Sequence, residues 1–306
     1  MKKTLTLILM IIGLLSCEKE LNIKLKNGTD KIVVEGSIEV GQSPFVTLTE
    51  SIGFFDDIDL SKVKFVKNAV VKVTDINDNI TINLKEYTID TLIGDNHFSF
   101  TIYGPDFTDP NSFNFKGILN HTYKLSIDSK GNQIESYTQI ANNPGFDSIW
   151  LEPIPDRGDS FSIIKAYYTD PDTFGNSVKL ETLTNRYQKD GNPELYFTSF
   201  NPVYNDDIIN GTKVKLDINL GYDKSRQLSP QELQSLGYVK KGDTVTIKWS
   251  GIDKNVFAFW QTLTFSAGSV GNPFASPVQV QSNVKNAIGV WGGYGSHYYK
   301  IIDSIK

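Results

Sequence analysis

Three histidines, a Ser-His dipeptide and four groups of aspartates are the side chains of this 306-residue chain that could do chemistry. None of His97, His121 or His297 has a second histidine or a cysteine at metal-ligand spacing. His97 falls in Gly94-Asp95-Asn96-His97, which reads as a turn, and His121 heads a strand; both read as solvated or locally bonded side chains. Ser296 and His297 are adjacent. On a strand, adjacent side chains point to opposite faces, so the two could not share a proton. There is no G-x-S-x-G elbow and no glycine-rich loop beside a βα unit. The acids cluster at Asp56-Asp57-Ile58-Asp59, at Asp75 and Asp78, at Asp170 and Asp172, and at Asp206-Asp207. Oxygen-rich loops of this kind can hold calcium, but none matches the EF-hand pattern, and they read as solvated turns. Paired acids also serve glycosidases, through a separation that sequence does not reveal. The expectation is therefore no catalytic residue, no metal and no cofactor.

The most distinctive stretch runs from Gly271 to Gly295. It holds Asn272, Pro273 and Phe274, then Trp291 and Tyr294 among glycines. Loops that display aromatics often carry binding residues, so these five are the candidate binding loop. The structural reading, which is preferred, has the glycines bending or closely packing a strand while Phe274 and Trp291 fill the core.

The lone cysteine, Cys17, has a different chemistry. Lys2 and Lys3 precede an apolar run from Leu5 to Leu15, too short to span a bilayer and of signal-peptide length. Ser16-Cys17 closes the run and looks like a bacterial lipobox, in which the thiol takes a diacylglycerol and the chain is cut before the cysteine. A lipidated cysteine also leaves no free thiol in an exported protein. One acyl chain holds only marginally and two hold stably, so the membrane is an expected partner through this anchor. Glu18-Lys19-Glu20 resembles a surface-export signal, which gives an outer-membrane, outward-facing expectation. No other stretch reaches the 18 apolar residues of a spanning helix.

The elements that must position these residues are mostly strands. Val, Ile, Thr, Tyr and Phe are common, with 14 Tyr and 18 Phe. Ile32, Val34, Ile38 and Val40 alternate with polar residues, as do Ala69, Val71 and Val73, and Tyr123, Leu125 and Ile127. Such alternation places one face on a core and one in water. Asn77-Asp78-Asn79 and Ser129-Lys130-Gly131-Asn132 read as hairpin turns. The expected fold is mainly β: an immunoglobulin-like β-sandwich over 31–143, then a second β-rich domain over 144–306. Residues 1–16 are the expected signal peptide and 17–30 the lipidated cysteine and tether. The second half repeats the alternation at Val214 to Leu220 and at Val245 to Trp249. It also carries two helices. Ser229-Pro230-Gln231-Glu232 is a capping box that opens one near 230–236. Asp253 caps another over 254–267, with an apolar stripe of Val256, Trp260, Leu263 and Ala267, Phe257 alongside and Gly268 as its stop. A net charge of −5 excludes a phosphate backbone as a favoured partner, so no nucleic acid is expected.

"NPF-S-P" followed by "SN-V-NAIGVWGGYG" resembles the C-terminal signature of a family of Bacteroidetes outer-membrane lipoproteins known only as a domain of unknown function. "FWQTL" at 259–263 resembles its aromatic helix, and "KIVVEGSI", "NAVVKVTD" and "TYKLSI" resemble its N-terminal strands. The resemblance covers nearly all of the chain beyond residue 17. It implies an outer-membrane lipoprotein often encoded beside a TonB-dependent receptor, and it implies no reaction and no residue roles. The function expected is a non-enzymatic ligand-binding or accessory component of a TonB-dependent uptake system. A structural or adhesive surface lipoprotein without a transport role stands as the alternative, and a surface hydrolase ranks third.

Overall fold

A computed structural model describes residues 31–51, 63–93, 96–154, 161–187, 195–224, 227–269 and 278–303. Cys17 and Asn272, Pro273 and Phe274 lie outside the described residues, as do Asp56, Asp57 and Asp59. The chain is mainly β. Seven strands come first: β1 (Ile32–Glu39), β2 (Phe45–Glu50), β3 (Val70–Asp75), β4 (Ile80–Ile93), β5 (Asn96–Pro105), β6 (Thr122–Ser129) and β7 (Asn132–Gln139). A short helix, α1 (Pro110–Asn114), interrupts them, capped by the Asp109 side chain. Then follow β8 (Ser148–Pro153), β9 (Phe161–Thr169), β10 (Ser177–Thr184), β11 (Val203–Asn205) and β12 (Lys213–Ile218). After α2 (Pro230–Gln234) come β13 (Val239–Lys240) and β14 (Thr244–Ile252). After α3 (Lys254–Ser269), β15 (Val284–Lys285) and β16 (Ile288–Ile302) end the described chain.

The period-two pattern does what it implies: Val34, Ile38, Val71, Val73, Tyr123, Leu125 and Ile127 all face one core. Lys130 and Gly131 both take positive φ at the β6–β7 turn, the two-residue geometry whose twist suits a hairpin. Asn79 does the same at the β3–β4 turn. His97 belongs to β5, paired with Leu92, and not to a turn.

One sheet holds twelve strands in the order β11-β10-β14-β16-β1-β2-β5-β4-β3-β6-β7-β15. It curls over on itself. Trp291 of β16 donates its indole N–H to the Tyr123 carbonyl of β6 at 3.1 Å, although β6 stands six places away in the hydrogen-bond order. A second sheet is built on β9, with β12 and β13 end to end along one edge and β8 along the other. Its apolar face meets β10 and β14 through Ile164, Tyr168, Leu180, Ile247 and Trp249.

β16 joins the two halves. Its residues 288–294 pair in parallel with β1, and its residues 295–302 pair antiparallel with β14. The segment after β7 is packed into this crossover. A Cβ on Gly295 would lie 2.1 Å from the Ala141 carbonyl oxygen, and one on Gly293 2.6 Å from that of Gln139. The glycines of the 288–295 stretch are therefore a close-approach device, as the structural reading held. Asn283 fixes the same strand by accepting from Trp291 N at 3.0 Å and donating to Trp291 O at 2.7 Å.

The α2 capping box is present in full. Asp253 caps α3, its Oδ1 accepting from Asn255 N and Val256 N. The buried stripe of α3 differs from the expected one. Val256 and Phe259 are buried, Phe257, Trp260 and Leu263 pack beside them, and Ala267 is exposed. Gly268 lies within the helix and is not its stop, because it does not take the left-handed φ that a glycine stop supplies.

These glycines make opposite predictions. Gly295→Ala forces the Ala141 backbone aside and is expected to lower stability by about 1–3 kcal/mol, as overpacking does. Gly268→Ala meets nothing within 4 Å and is expected to raise it by about 0.5–1 kcal/mol, by helix propensity. Urea denaturation midpoints of the two variants check both signs.

Candidate functional site

Alternation that buries one face of a strand must present the other. On β10, Leu180 enters the core, so Lys179 and Glu181 face out; on β14 the same rule turns Lys248 out opposite Ile247 and Trp249. The registers align these positions. Glu181 pairs with Lys248, Lys248 with Tyr298, and Glu39 with Tyr294, while Ser37 of β1 stands opposite Phe45 of β2. Five consecutive strands, β10-β14-β16-β1-β2, thus contribute one continuous polar and aromatic floor. Trp260 of α3 walls one side, and Tyr196 and the 222–224 segment form the rim. The result is an open cleft of about 730 Å³.

Four of the charges in the cleft hold one another in two pairs. Lys179 Nζ lies 2.8 Å from Glu181 Oε1, two residues along the same face, and Lys248 Nζ lies 2.6 Å from Glu39 Oε2. The other Glu39 oxygen accepts from Tyr298 OH. All four charged side chains of these pairs are under one-fifth exposed. Lys179 Nζ also sits 3.8 Å from the centre of the Trp260 ring and 5.5 Å from that of Tyr294. Those are cation–π distances, strengthened by the loss of water. Trp260 Nε1 in turn donates to Tyr294 OH at 3.1 Å. Burial lowers the basicity of Lys179, only partly offset by the charge and hydrogen bond of Glu181. Burial pushes the hydroxyls of Tyr294 and Tyr298 well above the usual tyrosine range, for Tyr298 with further help from Glu39. Lys224, at the rim, donates to Ser199 O at 2.9 Å and is likewise lowered by burial.

Such a site offers fixed donors, fixed acceptors and ring faces. An ammonium has three N–H donors and a carboxylate about four lone-pair positions, so each pair keeps unused capacity for a ligand. At the rim the Thr198 hydroxyl lies 3.3 Å from Lys224 Nζ.

The candidate binding loop divides. Trp291 and Tyr294 are on strand β16 rather than in a loop, and both are buried. Trp291 fills the first core, whereas Tyr294 lines the cleft. Ser296 and His297 face apart, as their adjacency requires: Ser296 Oγ meets Ser250 Oγ at 2.8 Å, and His297 Nε2 meets Asn143 O at 2.8 Å. His121 Nδ1 lies 2.8 Å from Asp75 Oδ2. The ligand atoms of Asp75, Asp78 and His121 fall within 4.8 Å of one another. Asp75 is already engaged, because its Oδ1 accepts from Asn77 N and Asp78 N. Burial would raise its pKa, and the hydrogen bonds from His121, Asp78 and Asn77 outweigh that and lower it. Asp170 and Asp206 are not solvated turn residues: they are 4% and 2% exposed. Asp206 accepts from Gly175 N and Asn176 N and ties down a loop. Asp170 accepts from Tyr168 OH, and its pKa is raised by burial with the Asp206 charge adding to it.

Fold and cleft together define a mainly β protein with a preformed polar-aromatic cleft on a sheet common to both halves. The chain belongs to the family described as a domain of unknown function, DUF4249, whose model matches residues 18–299. No curated protein matches the chain.

Lys179→Met alone leaves the mostly buried Glu181 carboxylate without its ion-pair partner and is expected to cost about 3 kcal/mol. Lys179→Met with Glu181→Met replaces the pair by apolar side chains and is expected to recover most of that loss. The pH dependence has a definite sign. The folded state holds the Lys179 proton less tightly than the unfolded state, whose lysine titrates near 10.5. Between those two values the unfolded chain binds more protons, so this residue's contribution to stability rises with pH and levels off above the unfolded value. Chemical denaturation across alkaline pH, with and without the double substitution, checks it.

Proposed function

We propose that the protein is an outer-membrane lipoprotein, held by lipid on Cys17 and facing outward, that binds a ligand without transforming it, as an accessory of a TonB-dependent uptake system. The observation that carries the binding role is the cleft. It is preformed, it lies within the size range of small-molecule sites, and two lysine–glutamate pairs in it position each other. The anchor rests on the Ser16-Cys17 motif behind its apolar run. No helix among the described residues is long and apolar enough to cross a membrane.

The alternative is a structural or adhesive envelope lipoprotein, and one observation favours it. Beside α3 and the edge strand β11 lies a groove of about 590 Å³ that displays Phe200 and Phe265, 76% and 61% exposed. Exposed aromatic surface of this kind suits a contact face.

A tagged pull-down from mildly solubilised outer membranes distinguishes the two. The accessory reading expects a TonB-dependent receptor in stoichiometric amount, and Cys17→Ser is expected to move the protein out of the membrane fraction and lose that partner. If the membrane-bound protein comes down alone, the accessory reading fails and the adhesive one takes its place.

A further inference from the structure

The second core holds a cavity of about 300 Å³ between β9 and β12 on one side and β10 and β14 on the other. Its walls are Val178, Leu180, Leu216 and Ile218, with Tyr168 and Trp249. The space opens to solvent beside Ile208, and apolar walls of this extent with a few polar groups are the usual make-up of a small-molecule site. Its polar chemistry is specific. Trp249 is 3% exposed, and its indole N–H has no hydrogen-bond partner. The acids at the cavity's polar end do have partners: Asp206 accepts from backbone N–H groups and Asp170 from Tyr168 OH. A buried donor without a partner is rare and costly. The mouth is marked by Ile208, an isoleucine that is 94% exposed.

We infer that this cavity is a second binding site, separate from the cleft, for a small apolar molecule that carries one hydrogen-bond acceptor such as a carbonyl. The apolar walls supply affinity, and Trp249 Nε1–H selects for the acceptor. A hydrocarbon of the same shape enters the cavity but leaves the indole N–H unpaired. An apolar void can stay dry and bind hydrophobic molecules, so both kinds of compound have a place to go.

The test uses two probes of one shape, 2-acetylnaphthalene and 2-ethylnaphthalene, on the full chain with ¹⁵N-labelled indoles. Both are expected to bind, the ketone about fivefold tighter, the ratio one net hydrogen bond provides. The ketone, and not the hydrocarbon, is expected to move the Trp249 indole resonance, one of four in the chain. Trp249→Phe should retain hydrocarbon binding and lose the preference. Leu180→Phe, which fills the cavity, should abolish binding of both. The affinity ratio on the unmodified chain needs no variant and decides the matter if either variant fails to fold. Absence of binding by both probes, or equal affinities with no indole shift, overturns the inference.

Discussion

The parallel pairing of β1 with β16 is the constraint on which the rest depends. It joins residues near the start of the described chain to residues near its end, from Val33 with Ile288 to Glu39 with Tyr294. Closing so long a loop carries an entropic cost that grows only slowly with length, but no local contact prepares it. Its return is that neither core is complete without the last strands. Trp291 and Val284 belong to the first core, and Tyr299 and Ile301 pack on the second. The strand changes partner at Gly295, where the chain leaving the first half passes too close for any side chain. Cooperative folding of the two halves follows from that shared strand.

The cleft is a consequence of the same pairing. Lys248 and Glu39 are 209 residues apart and meet only because β14, β16 and β1 are neighbours. An ion pair of this kind, mostly out of water, contributes little net stability, since desolvating both charges offsets much of their attraction. What it supplies is position. Lys179 is fixed by Glu181 and by the Trp260 face, Lys248 by Glu39 among three tyrosine rings. A ligand meets these groups already ordered and does not have to immobilise long, flexible side chains on arrival.

Much of the local structure was legible and the long-range structure was not. Alternation at Tyr123, Leu125 and Ile127, or at Val245, Ile247 and Trp249, reports a half-buried strand but not its neighbours. The capping box at Ser229 and the cap at Asp253 are signals held within four residues, and both appear in the structure. Phe259 was missed because a helix stripe read from its first apolar residue drifts from the face that neighbouring strands select. Lys179 and Glu181 carried no motif. Glu35, Ser37 and Glu39 read only as the polar face of an alternating strand until five strands set them beside Lys179 and Glu181. Asp170 and Asp206 likewise read as solvated loop acids, since nothing local announces two distant loops that each receive the other's carboxylate.

The cleft and the inner cavity lie back to back across β10 and β14. Lys179 and Glu181 face the cleft, and Val178 and Leu180 between and beside them face the cavity; Lys248 and Trp249 divide the same way. A slip of one residue in either strand would exchange the two sets, placing ammonium groups in the apolar core and leucine in the cleft. The register is therefore held from both sides, by ion pairs on one face and by apolar burial on the other. That explains how the strands can keep a void behind them and a charged floor before them without losing their alignment.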